Sequence, residues 1–240
     1  MKGVYMSKLF QHQSLGDLMA GLFDGSIRFG ELLEHGDTGL GTFHAFDGEF
    51  IMVDGQAYQI QSSGQVVEVE EELTSPYAAV TFFEPNAFEE IKRPTTLKKM
   101  RTEIGQMVQS RNVFSVIRID GHFDYVHTRA VPKQEKPYPR LVEATRVQPE
   151  FERYDVMGTA VGIYTPYLYD GVAKGGFHCH FINDARDFGG HILDYIVTDA
   201  KVQIQTIESL EQHFATNYAD FMDNDIDYNN LTAEMEEAEG

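Results

Sequence analysis

Short apolar runs separated by Asp-Gly pairs are the feature of this chain that most constrains its fold. Between residues 42 and 60, the runs TFHAF, EFIMV and QAYQI are separated by Asp47-Gly48 and Asp54-Gly55. An Asp-Gly pair between two extended apolar segments favours a two-residue hairpin turn, because both turn positions need a positive φ. The pattern predicts a meander of hairpins here and a further hairpin at Asp120-Gly121, between NVFSVIRI and HFDYVHTRAV.

Two segments of the N-terminal half have helical spacing instead. In SLGDLMAGLFDG, residues 14–25, apolar side chains share one face, with Ser14 as the N-cap and Gly25 as the stop. Residues 95–109, TTLKKMRTEIGQMVQ, carry a second apolar stripe. In the second half, the runs MGTAVGIY, GFHCHFI, HILDYIVT and KVQIQTI predict strands. The chain is therefore predicted to be α/β (α+β), with a mixed β-sheet and helices in the N-terminal half and a largely antiparallel C-terminal half.

Two segments stand apart by composition. The proline-rich VPKQEKPYPRL, residues 131–141, is either a linker between two halves or an ordered loop over a site. The final stretch, residues 219–240, carries eight acidic residues and no Lys or Arg. Composition alone predicts that this tail is solvated.

The charge of the chain limits the partners it can have. Asp and Glu number 38 against 19 Lys and Arg, a formal charge of −19. Such a charge repels phosphate backbones and anionic lipids, so neither nucleic acid nor membrane is expected as a partner. No run approaches the ~18 apolar residues of a membrane span, and no secretory signal is recognisable. A single cysteine, Cys179, permits no intrachain disulfide, and a cytoplasmic protein is predicted.

A histidine cluster is the clearest functional signal. The stretch GGFHCHFINDARDFGGH, residues 175–191, holds three of the nine histidines. Side chains alternate along a strand, so His178 and His180 share one face and Cys179 lies on the other. The turn formers in NDARDFGG predict a return that brings His191 beside the pair. Three imidazoles without a thiolate match a catalytic zinc site; the alternative is three ordinary polar residues on a half-buried strand.

Two charged residues could complete such a site. Glu49 follows the Asp47-Gly48 turn and is a candidate for proton transfer, or simply an exposed residue at a strand end. Arg129, in HTRAVPKQ, lies among apolar and aromatic residues and could hold a carboxylate through two parallel hydrogen bonds, or could be a surface arginine.

Four motifs in consistent order resemble the α-acetolactate decarboxylase family. They are GDTGLGTFHAFDGE (36–49), FEP (83–85), HTRAVPKQEKPYPRL (127–141) and GFHCHFINDARDFGGH (176–191), within a similarity that extends over nearly the whole chain. The resemblance implies conversion of 2-acetolactate, a 2-hydroxy-3-keto acid, to acetoin and CO2. It also implies a bound Zn²⁺ with His178, His180 and His191 as its ligands.

The same resemblance implies further site residues and an architecture. Thr42 of GLGT, Glu49 of DGE, Arg129 and Glu239 of the terminal AEG fall on functional positions of the family. The implied organisation is an N-terminal α/β domain (1–135), a β-barrel-like metal-site domain (136–218) and an acidic tail (219–240) that folds back to the site. A homodimer is the family expectation. This return of the tail conflicts with the solvated tail that composition predicts.

Other functions use similar histidine patterns. A zinc hydratase also displays His-x-His on a strand with a third histidine farther on. A cupin-like metal oxygenase is a further alternative, although Asp184 stands where cupins normally have a glutamate. A metal-storage or sensing domain would be expected if Glu49 and Arg129 lay far from the histidines.

Overall fold

Two large β-sheets and several short helices make up the described part of the fold. The computed structural model describes residues 6–226, 233–234 and 237–238. The helices of this part are α1 (Leu15–Met19), α2 (Phe29–Leu33), α3 (Leu97–Met107), α4 (Leu141–Thr145) and α5 (Ala219–Met222). None of the helices in the described ranges is long and apolar enough to cross a membrane.

The first sheet has seven strands. Its members, in spatial order, are β15 (Ser209–His213), β1 (Lys8–His12), β8 (Ala78–Thr81), β3 (Thr38–Thr42), β4 (Glu49–Val53), β5 (Gln56–Ile60) and β6 (Val66–Glu68). All neighbours are antiparallel except β1 and β15, which are parallel. A two-stranded ribbon of β2 (Ile27–Arg28) and β7 (Thr74–Ser75) lies beside it.

The second sheet is antiparallel and closes on itself. Its members are β9 (Ala87–Ile91), β10 (Thr95–Thr96), β11 (Ser115–Arg129), β12 (Glu150–Thr165), β13 (Gly176–Asn183) and β14 (Gly189–Thr206). β11 pairs with β12 and β14, while β13 pairs with β12 and with the start of β14. These four strands therefore form a closed circuit. The predicted α+β class with a largely antiparallel second half is confirmed.

One Asp-Gly pair forms the predicted hairpin, but the run that precedes another does not form the predicted strand. Asp54 and Gly55 have φ values of 53° and 79° and form the predicted hairpin between β4 and β5. The extended run predicted for TFHAF is wrong, because His44–Phe46 form a 3₁₀ turn in which Ala45 and Phe46 have φ values of 64° and 55°. This turn lets the Ala45 amide donate to the Phe23 carbonyl and places Phe46 against α1.

The hairpin predicted at Asp120-Gly121 is also wrong. β11 runs straight through this pair, with Gly121 between Gly158 of β12 and Ala200 of β14. A Cβ atom on residue 121 would lie 2.2 Å from the Asp199 carbonyl oxygen. Glycine is therefore required by the close approach of a neighbouring strand rather than by a turn.

Both predicted helices are present, one of them shorter than expected. Ser14 and Asp17 form a reciprocal capping box at the start of α1, which ends at Met19 before Gly21 adopts a φ of 84°. α3 has a buried stripe of Leu97, Met100 and Ile104 against the second sheet.

Each sheet contains strands from both sides of residue 135, the predicted domain boundary. β9, β10 and β11 belong to the second sheet, and β15 returns to the first. The loop 131–141 lies between them and is ordered, because Val131 and Leu141 are fully buried in one cluster with Leu15 and Phe46. This packing favours the loop alternative for the segment.

Candidate metal centre

The hairpin between β13 and β14 brings the predicted histidines together. His180 pairs directly with His191 across the two strands, and His178 lies two residues along on the same face. One ring nitrogen of each histidine lies within 4.8 Å of the others, and the Nε2 atoms of His178 and His180 are 3.2 Å apart. These distances suit a shared metal ion.

A pair of glycines, Gly189 and Gly190, lets β14 approach β11 closely. Gly190 has a φ of 135°, and a Cβ atom there would lie 2.5 Å from the Arg129 carbonyl oxygen. A side chain at this position would push β14 away from β11 and move His191 out of the cluster. The second glycine of the pair, Gly189, is fixed through its carbonyl, which accepts a hydrogen bond from Thr128 Oγ1 at 2.8 Å.

The protonation of the imidazoles leaves nitrogens available for a metal. The Nδ1 atom of His180 is 2.7 Å from the Phe50 carbonyl, which can only accept, so Nδ1 donates, and in the neutral ring this tautomer places the lone pair on Nε2. Burial, aided by the charges of Arg129 and Lys174, lowers the pKa of His178 to about 3. Burial and the same cations lower the pKa of His191 well below its usual value. Both rings are therefore neutral at physiological pH, as ligation requires.

Glu49 enters the site from the first sheet. It is the first residue of β4, only 7% exposed, and its Oε2 atom is 3.4 Å from His180 Nε2. Thr42 pairs with Glu49 across β3 and β4, and its hydroxyl donates to the Gly48 carbonyl at 2.7 Å. The exposed strand-end alternative for Glu49 is thereby excluded.

Arg129 approaches from the other side, at the last residue of β11. It pairs with His191 and is 8% exposed, which excludes the surface alternative. Its Nη2 atom lies 3.5 Å from His191 Nε2 and donates to the Ala238 carbonyl at 2.5 Å. The guanidinium is therefore held between the histidines and the chain end.

A cavity of about 30 Å³ joins these groups. Thr42, Glu49, Arg129, His178 and His191 all line it. The rest of the lining was not predicted from the sequence; it includes Leu15, Leu18, Phe46, Tyr77 and Gln148. Only the leucines carried a signal, as part of the apolar face of α1. Tyr77 and Gln148 are brought in by tertiary packing, which no local pattern reports. The volume is enough for an ion or one or two water molecules.

The described residues of the chain end contact this region. Ala238 is fully buried among Leu15, Leu18 and Tyr77. Glu234 pairs with Arg140 at 2.7 Å, and Glu237 pairs with Arg146 at 2.7 Å. The solvated tail predicted from composition is therefore wrong at Ala238. Glu239 lies outside the described residues.

A buried centre that can hold a metal ion, flanked by a carboxylate and a guanidinium in an α+β fold, defines a class of enzyme sites for small anionic substrates. Comparison with known proteins narrows the class to one family. The family model described as alpha-acetolactate decarboxylase matches residues 9–228. The chain belongs to the α-acetolactate decarboxylase family.

Individual relatives agree with this assignment. The alpha-acetolactate decarboxylase of Lactococcus lactis subsp. lactis is 38% identical over 234 residues, which cover 98% of this chain and 99% of the relative. The crystal structure of alpha-acetolactate decarboxylase from Bacillus subtilis strain 168 superposes with a TM-score of 0.95 at 38% identity, covering 98% of this chain and all of that one. A Staphylococcus aureus protein described as similar to this enzyme gives 0.95 at 40% identity, covering 97% of this chain and all of its own.

Proposed function

We propose that this chain decarboxylates 2-acetolactate to acetoin and CO2 with the help of Zn²⁺. The observation that carries the proposal is that Glu49 and Arg129 lie at the cluster of His178, His180 and His191 beside one cavity, in a chain of this family. Since Glu49 and Arg129 lie at the histidines, a storage or sensing domain has no support. The relatives compared favour decarboxylation over the hydratase and oxygenase alternatives.

The donor set favours zinc. Three neutral ring nitrogens, without a thiolate among the donors, would hold the ion and leave positions for substrate. When bound, zinc supplies Lewis acidity that stabilises negative charge developing on substrate oxygens. Hydrogen bonding of His180 Nδ1 to the Phe50 carbonyl would keep that ring aimed at the ion.

Arg129 is suited to hold the carboxylate that leaves as CO2. Its planar guanidinium offers parallel N–H donors, and its buried position strengthens a charge-assisted bond. In the present arrangement one of these donors is used by the Ala238 carbonyl. The cavity of about 30 Å³ is too small for the substrate, so we infer that the chain end moves away from Arg129 as substrate binds.

The remaining chemistry is proton transfer. Loss of CO2 leaves an enediolate, and one proton must then reach the carbon that carried the carboxylate. We assign this proton to the carboxyl groups of Glu49 and Glu239, which would deliver it to one face so that a single acetoin enantiomer forms. The Thr42 hydroxyl binds the carbonyl preceding Glu49, which supports a role in positioning that carboxylate.

Composition suggests the compartment in which the enzyme works, and the family suggests its oligomeric state. We propose a cytoplasmic homodimer in which the tail 219–240 covers the site; the two sheets, each built from strands on both sides of residue 135, replace the predicted division into 1–135 and 136–218. Its partner is the small 2-hydroxy-3-keto acid substrate, and a charge of −19 argues against nucleic acid or anionic membranes. Sedimentation velocity of the purified chain tests the dimer.

The decisive experiment is acetoin formation from racemic acetolactate. We expect the zinc-loaded protein to release one CO2 per acetoin, and the chelator-treated protein to be inactive until zinc is restored. A zinc-loaded protein that consumes no acetolactate would refute the proposal. Hydration of CO2 or uptake of O2 by the same protein would identify one of the alternatives instead.

A further inference from the structure

A second, larger cavity of about 710 Å³ lies between the second half of α3, the end of β12 and the residues that lead into β13. We call it the cationic groove and define it by the residues that give it its character. These are Arg101, Arg111, Lys174, Tyr164, Tyr167 and Phe177.

The cationic groove is separate from the metal centre. Side chains alternate along β13, so Phe177 lines the groove while His178 lines the small cavity on the opposite face. The strand itself therefore stands between the two sites. A ligand in the groove would not touch the substrate-binding groups.

The charge of the groove is opposite to that of the chain as a whole. The chain carries −19, yet the groove is lined by three cationic side chains and, among the residues that the structure describes, by no Asp or Glu. Within the described part of the chain, neither Arg101 nor Arg111 forms an ion pair. The nearby Asp170 carboxylate accepts the Gly175 amide at 2.9 Å. The groove thus offers guanidinium groups to an anion from solution.

A glycine inside α3 keeps the groove open. Gly105 is an interior helix residue, where glycine is less stable than alanine. Among the described residues, the one atom within 4 Å of a Cβ atom at this position would be Arg111 Nη2, at 3.6 Å, an ordinary van der Waals contact. A larger side chain is therefore sterically allowed and would fill the groove beside this guanidinium.

We propose that the cationic groove binds a small organic anion. Its carboxylate or phosphate group would pair with Arg101 and Arg111, and its apolar part would lie against Tyr164, Tyr167 and Phe177. A cavity of about 710 Å³ is in the range that small-molecule sites occupy. The mixture of aromatic walls with a few convergent charges is typical of such sites.

Binding of 8-anilinonaphthalene-1-sulfonate, an aromatic anion whose fluorescence rises in apolar sites, tests this proposal on the zinc-loaded full chain. We expect one site per chain. Gly105→Leu should weaken binding by at least about tenfold with unchanged circular dichroism and acetoin formation, and Arg111→Gln should weaken it by about tenfold. The matched control is Lys92→Gln, which removes an exposed charge that pairs with Asp199 outside the groove. Equal binding by Gly105→Leu and the wild type, or no binding at all, would overturn the proposal.

Competition then identifies the anionic group. Benzoate and phenyl phosphate should displace the dye, and the stronger of the two indicates whether a carboxylate or a phosphate is preferred. Neutral benzamide should displace it far less. If benzamide competes as well as the two anions, the arginines do not select charge and the assignment fails. These measurements read binding rather than turnover, so they stand whether or not acetolactate is the substrate.

Discussion

His180 connects the two sheets through its imidazole ring. Its Nδ1 atom donates to the Phe50 carbonyl on β4, and its Nε2 atom faces both His178 and the Glu49 carboxylate. A candidate metal ligand and a candidate proton carrier are therefore held beside each other by the hydrogen bond from His180 on β13 to the Phe50 carbonyl on β4. Such pre-organisation removes the need to reorganise the site during the reaction.

Glu49→Gln tests the proton-transfer role at this point. The amide keeps the shape of the side chain but cannot carry a proton between substrate atoms. We expect zinc content to remain at one per chain and turnover to fall by about 10²–10⁴-fold, the usual contribution of general acid–base groups. Elemental analysis and acetoin assays measure the two quantities. Near-normal turnover would exclude proton transfer by Glu49.

Only the part of this site that depends on local strand and turn patterns could be predicted from the sequence. The pair His178 and His180 followed from alternation alone, and His191 from the turn formers of NDARDFGG, because both signals are local. The turn predicted at Asp120-Gly121 was wrong because this glycine is required by the close approach of Asp199 and Ala200 on β14. These residues are distant in sequence, so no local pattern reports them. Tyr77 likewise reaches the site through packing with α1, which only the folded chain specifies.

The seam between β1 and β15 carries a buried histidine that should make stability depend on pH. His12 is fully buried, with Nδ1 2.8 Å from His213 Nδ1 and Nε2 2.8 Å from Ser26 Oγ. Burial, together with the charge of His213, lowers the pKa of His12 to about 3. Between that value and the unfolded pKa of ~6.5, the unfolded chain binds the extra proton, so acid lowers the free energy of unfolding.

Urea unfolding at pH 7 and pH 5 measures this contribution. Between these values we expect the wild type to lose about 2 kcal/mol more than His12→Asn, because only the wild type must keep this imidazole uncharged. His44→Gln, at a side chain that is 50% exposed, is the matched control and should follow the wild type. Equal losses in His12→Asn and the wild type would contradict the prediction.

The chain end is the element on which family and composition disagree. Substituting a single tail carboxylate separates the two views. We expect Glu239→Gln, and deletion of residues 232–240, to cut turnover by at least about tenfold with zinc retained, if the tail takes part in proton handling. Glu237→Gln is the control: its carboxylate pairs with a largely exposed Arg146, a contact worth about 0–1 kcal/mol, and it should be nearly neutral. Full activity in the deletion variant would mean that the tail, although packed at Ala238, takes no part in proton handling.

At the scale of the whole molecule, the metal centre joins the two sheets. The three histidines belong to the second sheet, while Glu49 and the Phe50 carbonyl belong to the first. Strands β9 to β11 precede the predicted boundary at residue 135 but belong to the second sheet, and β15 follows it but belongs to the first. A ligand bound at this junction stabilises every element that must be in place to form it.

Zinc should therefore raise the stability of both sheets together. Free zinc at about 1,000 times its dissociation constant adds about 4 kcal/mol to the free energy of unfolding, provided that the unfolded chain does not bind it. We expect one calorimetric transition that moves to higher temperature with zinc and returns with chelator. His180→Ala should lose this response, because it removes a buried ligand at the junction. The control His127→Ala, which removes a partner of Glu150 on the outer side of β11, should respond like the wild type. A zinc response retained in His180→Ala would place the ion elsewhere, and two separate transitions with only one shifted would mean that the sheets unfold independently.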